Sequence, residues 1–195
     1  GAVADCTGHG VPGAFMTLIA SSSLSQAIEQ AGADNPSQLL SNVNRSIKHM
    51  LGQLDGQDAT PESDDGMDAA FFCYNSALRT LTFAGAKSSL FVLHPGNDSI
   101  EMIDGDRKGV GYVNSKMDFN WQNRTVQLSP GSLVFVTTDG LIDQIGGPKA
   151  IAFGKKRIRD ALLAHRALPT SAINQAMLDA FCQWQGPHKR RDDLT

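Results

Sequence analysis

Residues 69–84, Ala69-Ala70-Phe71-Phe72-Cys73-Tyr74-Asn75-Ser76-Ala77-Leu78-Arg79-Thr80-Leu81-Thr82-Phe83-Ala84, decide the fold class. Ala69–Tyr74 is continuously apolar, the pattern of a buried strand, and Cys73 within it reads as a small buried residue. Thr80–Ala84 alternates, with Leu81 and Phe83 on one side. Asn75–Arg79 between them is short enough for a hairpin, so these strands pair antiparallel. Leu90–Leu93, Ser99–Ile103, Arg124–Leu128 and Leu133–Thr137 are further strand candidates.

On both sides of this run the pattern turns helical. Pro12–Gln30 carries Phe15, Leu18, Ile19, Leu24, Ala27 and Ile28 at helical spacing. Asn35-Pro36 supplies a cap and a first-turn proline. The helix that follows puts Leu39, Leu40, Val43, Ile47, Met50, Leu51 and Leu54 on one face. Phe153–His165 and Thr170–Trp184 close the chain as two more helices, the second with Ile173, Ala176, Met177, Ala180, Phe181 and Trp184 in register. Trp121 and Trp184 read as packing residues. Asp55–Asp68 is acidic and aperiodic, which predicts a loop of a length that often carries function. Helices at the ends and consecutive strands between them define an α+β protein with largely antiparallel sheets.

At 195 residues the chain fits one domain, 1–195, with a sizeable core. A net charge of −3, and a basic run His188–Arg191 that leads straight into Asp192-Asp193, give no nucleic-acid signature. Cys6, Cys73 and Cys182 are odd in number and lack CxxC spacing, so a reducing, cytoplasmic setting is expected. No apolar stretch reaches the ~18 residues that span a bilayer. Both ends read as cut: Gly1–Asp5 is like a strand entered midway, and Asp193-Leu194-Thr195 like the start of another.

Three local sequences carry chemistry. Asp5-Cys6-Thr7-Gly8-His9-Gly10 places a carboxylate between a strand end and a helix, with glycines that let backbone carbonyls approach an ion. Val134–Gly140 ends a buried strand on Asp139-Gly140. Arg191-Asp192-Asp193 brings two carboxylates into what reads as another strand. Taken singly, each also reads as an ordinary turn or a solvated surface acid. Together they are carboxylates from the start, middle and end of one domain, the supply a two-metal hydrolase needs. Hard Mg²⁺ or Mn²⁺ takes oxygen ligands, few of them from protein, and no His or Cys cluster suggests zinc.

The ordered set Asp5-Cys6-Thr7-Gly8-His9-Gly10-Val11-Pro12-Gly13-Ala14, Thr138-Asp139-Gly140-Leu141 and Asp192-Asp193-Leu194-Thr195 resembles the PPM phosphatases of the SpoIIE/RsbU branch along essentially the whole chain. Leu81–Ala86 resembles the family's central hairpin and the turn after it. Asp143–Gly147 followed by Phe153–Lys156 resembles a subgroup found on bacterial sensor proteins, of the SiaA type.

That resemblance implies a four-layer α/β/β/α sandwich of two antiparallel sheets flanked by helix pairs. It implies two Mn²⁺ or Mg²⁺ ions bridged by Asp5, with the Cys6 carbonyl on one and Asp139 and Asp192 on the other. A metal-bound hydroxide would then hydrolyse phosphoserine or phosphothreonine on a partner protein, such as a small STAS-like partner-switching protein. An upstream sensor domain, a membrane anchor through it and a homodimer belong to the same expectation. So does a switch role for the two helices after the first motif. The family's acidic ligand on a strand before the first motif has no counterpart after Gly1, and His9 lies too far from Asp5 for the general-acid position of some relatives.

In Asp64-Asp65-Gly66-Met67-Asp68, the acids are either a solvated flap or, through Asp65 or Asp68, ligands to a weak third ion. Lys87 either meets a phosphate or is a surface lysine. Two rival functions stand beside the phosphatase: a pseudophosphatase that binds partners without turnover, and a metal-dependent phosphodiesterase.

Overall fold

The computed structural model describes residues 1–55 and 64–195, so part of the loop expected over Asp55–Asp68 lies outside the described residues. The chain divides into two compact units.

The first unit comprises Gly1–Ser89 and Asp104–Gln127. It opens with β1 (Ala2–Cys6), then α1 (Gly10–Ala31) and α2 (Pro36–Leu51), then β2 (Met67–Asn75) and β3 (Thr80–Ala86). β2 and β3 form the expected antiparallel hairpin, Asn75 opposite Thr80 and Phe71 opposite Ala84. β6 (Arg124–Gln127) completes a sheet in the order β1-β2-β3-β6.

The second unit comprises Leu90–Ile103 and Leu128–Thr195. It holds all of β4 (Ser89–Leu93) but its first residue, β5 (Glu101–Asp104) up to Ile103, and β7 (Leu133–Val136), in the order β5-β4-β7. A four-residue helix α3 (Asp139–Ile142) follows β7; a two-stranded ribbon, β8 (Ile145–Gly146) with β9 (Ile151–Ala152), leads to α4 (Gly154–Ala164) and α5 (Thr170–Gln185). Sequence periodicity misses α3 and the ribbon because four helical residues and two strand residues span only about one period each, too few to show a repeat.

α2 forms for the reasons its sequence advertises. Asn35 accepts a hydrogen bond from the Gln38 N–H, Pro36 takes the first turn, and Gly52 closes the helix in the left-handed region. Leu40, Val43 and Ile47 are fully buried against β2 and β3, each contributing about 1.5–3 kcal/mol. Met50, expected on that face, is 53% exposed, one residue before the helix ends, and Leu54, also expected there, lies beyond the helix. α1 differs more. Its inward face is Met16, Ala20, Ser23 and Ala27, whereas Phe15 and Leu18, expected inside, are more than half exposed. Small residues let α1 lie close on α2, where Ser23 Oγ donates to Ser46 Oγ at 3.0 Å.

Other expectations shift at element edges. Cys73 is half-buried, near the end of a strand whose last residues are exposed. Asp68 belongs to β2 instead of the loop before it. Residues 192–195 are not in a strand; they are bonded along the Thr137–Thr138 segment instead. Trp121 is buried against Phe119, and the Trp184 ring packs edge-on to Phe153 in the second unit's core, where α4 and α5 cover Phe91 and Leu141.

Buried polar side chains of α2 also organise the first unit. Lys48, with no exposed surface, donates to the Tyr112 and Val113 carbonyls and pairs with Asp55 at 3.3 Å. Asp55 is held below the usual carboxylate range, first by the Met117 N–H and, less, by Lys48. Its share of stability is complete above about pH 4 and fades as the pH falls through the lowered value. Asp55 is 42% exposed, so water replaces its partner cheaply, whereas Lys48, with no exposed surface, serves the Tyr112 and Val113 carbonyls as well as Asp55. Lys48→Met is therefore expected to cost about 2–4 kcal/mol in urea unfolding and Asp55→Asn under about 1 kcal/mol; equal costs would contradict the assignment.

Candidate metal centre

In the first unit the ladder between β1 and β2 sets Asp5 directly opposite Asp68, and Cys6 opposite Met67. Facing side chains in an antiparallel pair lie about 5 Å apart at Cβ, and like charges there repel. Both carboxylates are half-buried, which strengthens the repulsion relative to open water. Asp68 is met by two groups of its own unit. Lys87 Nζ stands 3.2 Å from Asp68 Oδ1, close enough for an ion pair though off the hydrogen-bonding direction. The Tyr112 hydroxyl also bonds the Asp68 carboxylate; burial first, then the Asp68 charge, push the phenol far above its ordinary pKa and keep it protonated.

The turn after Asp5 is fixed by Thr7. Its N–H donates to the Gly66 carbonyl at 2.9 Å, its hydroxyl donates to Asp65 Oδ1 at 3.0 Å, and the Gly66 N–H returns a bond to that hydroxyl. Asp65, one of the two flap acids proposed for a third ion, is thus a clamp on the Asp5 turn. Asp64 accepts from the Val113 N–H. Gln53, almost fully buried, ties Asp65 to Gly111 through both ends of its amide, and Asn44 accepts from the Gly111 N–H. Further along, Gly13 packs against the Gly8 carbonyl so closely that a Cβ would come within 2.6 Å of the oxygen. The glycines of this motif let the turn fold flat against the start of α1. His9 is exposed at the N-cap of α1 and makes no capping bond. The Cys6 thiol is raised, chiefly by burial with a contribution from the Asp5 charge, and stays protonated, so its carbonyl is the better donor.

In the second unit, Asp139 opens α3 and Asp192 lies on the segment bonded to it. Thr137 Oγ1 donates to the Thr195 carbonyl at 2.8 Å, Thr138 Oγ1 donates to the Asp193 carbonyl at 3.2 Å, and the Thr195 N–H donates to Thr138 Oγ1. A Cβ on Gly140 would fall 2.0 Å from the Asp193 oxygen. The two acid-bearing turns therefore touch backbone to backbone. Asp139 and Asp192 are exposed, and Asp192 Oδ1 accepts from the Asp193 N–H.

The structure thus groups Asp5, Cys6 and Asp68 in one unit, and Asp139 and Asp192 in the other. Among the described residues no three His, Cys, Asp or Glu side chains form a ligand group. Carboxylate and carbonyl oxygens in ones and twos nonetheless fit Mg²⁺ or Mn²⁺, which keep several waters and take few protein ligands. Sequence reasoning missed Tyr112, Lys48, Gln53 and Thr7. The signal for Lys48, and for Asn44, was available: both occupy inward positions on α2, spaced with Leu40, Ile47 and Leu51, where a polar side chain must have a buried partner.

The chain belongs to the SpoIIE family, whose model, described as stage II sporulation protein E, matches residues 2–195. Its fold is that of the PP2C-type phosphatases. The SiaA-PP2C domain of Pseudomonas aeruginosa is 33% identical with a TM-score of 0.83, over 99% of this chain and 72% of that one. The RsbU and RsbW domains of a Mycobacterium tuberculosis protein are 19% identical with a TM-score of 0.71; this chain is covered over 99% and spans 49% of that one. The catalytic domain of the serine/threonine protein phosphatase PstP, solved with two manganese ions, is 15% identical with a TM-score of 0.56, covering 95% of this chain and 82% of that one. Comparison with curated proteins finds no match.

Because Gly140 faces the Asp193 carbonyl at contact, Gly140→Ala is expected to push the Asp192 segment away from Asp139 and destabilise the chain by about 1–3 kcal/mol. Calorimetric melting of the variant checks this; an unchanged Tm would show that the two turns are not in contact.

Proposed function

We propose that this chain hydrolyses phosphoserine or phosphothreonine on a partner protein, using Mn²⁺ or Mg²⁺ held by Asp5 with the Cys6 carbonyl and by Asp139 with Asp192. The observation that carries the reading is the register of β1 on β2. A strand that places Asp5 squarely opposite Asp68 accepts repulsion that a divalent cation relieves. When bound, such ions supply Lewis acidity that makes a water nucleophilic near neutral pH.

The chain's own part is positional. Thr7, clamped by Asp65 and Gly66, fixes the turn that carries Asp5 and the Cys6 carbonyl. Thr137 and Thr138 hold the Asp192 segment beside Asp139. Preorganised ligands spare the site reorganisation during reaction, the chief source of electrostatic catalysis. Asp68 is the candidate ligand for a weaker third ion. SpoIIE membership, the likeness to a SiaA phosphatase domain and the two manganese ions of PstP support the metal and substrate class. The RsbU and RsbW neighbour supports a protein of a partner-switching pathway as partner; a small phosphoprotein as substrate, a sensor domain and a second copy of the chain are part of the same proposal.

Release of phosphate from a phosphoserine peptide is expected with Mn²⁺ or Mg²⁺ and to vanish in EDTA; hydrolysis of a phosphodiester analogue is not. At saturating Mn²⁺, Asp5→Ala is expected to lower kcat by more than about a hundredfold, beyond the loss typical of outer-shell changes, and Asp65→Ala or Asp68→Ala by less. Full turnover after exhaustive chelation, or equal losses at all three positions, would overturn the reading.

A further inference from the structure

Lys87 was open to two readings from sequence; it is an exposed residue, its side chain 39% accessible, yet it is held in a defined place. The chain leaves β3 at Ala86, and Lys87 sits at φ 57°, the left-handed region that non-glycine residues rarely occupy. That conformation is held from both sides. The Lys87 N–H donates to the Asp106 carbonyl at 2.8 Å, and a parallel bridge joins Lys87 to Ala69, the residue after Asp68. The backbone thus aims the side chain along β2 toward the acid.

The ammonium group meets two partners. It lies 3.2 Å from Asp68 Oδ1 and 4.2 Å from the centroid of the Tyr112 ring. Tyr112 is itself anchored, since its carbonyl accepts from the buried Lys48, and its hydroxyl bonds Asp68. A lysine held over an aromatic face and against a carboxylate is a cation placed with intent of geometry, its charge set beside the Asp5–Asp68 pair.

Resting on the metal-dependent reading above, we propose that Lys87 is a built-in counter-cation of the Asp5–Asp68 pair that competes with the divalent ion. With no ion bound, Lys87 offsets the repulsion between the two carboxylates. An ion arriving at Asp5 meets the ammonium charge and must displace it from Asp68 or bind against it. The Tyr112 ring, already 4.2 Å from the ammonium, still faces it once Asp68 is taken by the ion, so exchange requires no unfolding. Lys87 is a positioning residue in this scheme, and its consequence is a metal affinity tuned downward, so that loading depends on the prevailing ion concentration.

The test is isothermal titration of the 195-residue chain with MnCl₂, for the wild type, Lys87→Met, Lys87→Arg, Asp68→Asn and the Asp68→Asn/Lys87→Met pair. Lys87→Met is expected to tighten Mn²⁺ binding about fivefold or more, the lower end of ordinary coupling between sites, with Lys87→Arg restoring wild-type affinity. In the Asp68→Asn background the same change is expected to do much less, because the ion pair is already gone. Unchanged or weaker Mn²⁺ binding in a folded Lys87→Met, or an equal gain in both backgrounds, overturns the proposal while leaving the phosphatase reading intact. Absence of Mn²⁺ binding in every protein overturns both. Should Lys87→Met fail to fold, Lys87→Gln serves in its place with the same expectations.

Discussion

Two carboxylates face each other across the first pair of strands, and much of the first unit is arranged around that fact. Like charges opposed on a β-ladder cost stability unless something positive or hydrogen-bonding stands near them. Here the ladder is not free to slip out of the conflict. Moving β1 by one residue would turn every side chain of the strand to the other face, while β2 is fixed by its own hairpin with β3. Core packing enforces a polar arrangement that packing alone would not choose. A divalent ion, as proposed above, would relieve the conflict through the oxygen donors of both residues.

What surrounds the pair is a buried polar scaffold rooted in α2. Asn44 and Lys48 of α2, with Gln53 just past its end, hold residues 111–113 and Asp65. Those segments in turn hold Thr7 and carry Tyr112. Buried polar groups with all their partners in place rigidify a site, and the loss of one leaves others stranded. This ties the helix to the Asp5 turn through hydrogen bonds, and a movement of α2 would carry the turn with it. In the second unit the equivalent task falls to two threonines and a glycine, which bring Asp139 and the Asp192 segment into backbone contact.

Much of this was legible in the sequence. The hairpin of residues 69–84, the capped start of α2 and the acidic turns at Asp5 and Asp139 each follow from local rules of period, cap and turn, and the structure has them within a residue or two, while α2 ends at Leu51, three residues before the expected Leu54. The faces of α1 were not legible, because its buried side is alanine, serine and methionine, and hydrophobic spacing points to Phe15 and Leu18 instead. Asp68 was placed in a loop since it ends the acidic, aperiodic stretch Asp55–Asp68; only the ladder with β1 reveals it as a strand residue opposite Asp5. Lys87 and Tyr112 come together from positions far apart in sequence, through a left-handed residue and a loop without periodicity, and no local pattern encodes that meeting.

The central claim is that Asp5 and the Cys6 carbonyl hold a divalent ion. Anomalous diffraction at the manganese edge, from crystals of the wild-type chain grown with MnCl₂, addresses it directly. The account predicts a manganese peak whose coordination shell contains an Asp5 carboxylate oxygen and the Cys6 carbonyl oxygen. Manganese bound only elsewhere, with Asp5 out of its shell, would contradict it.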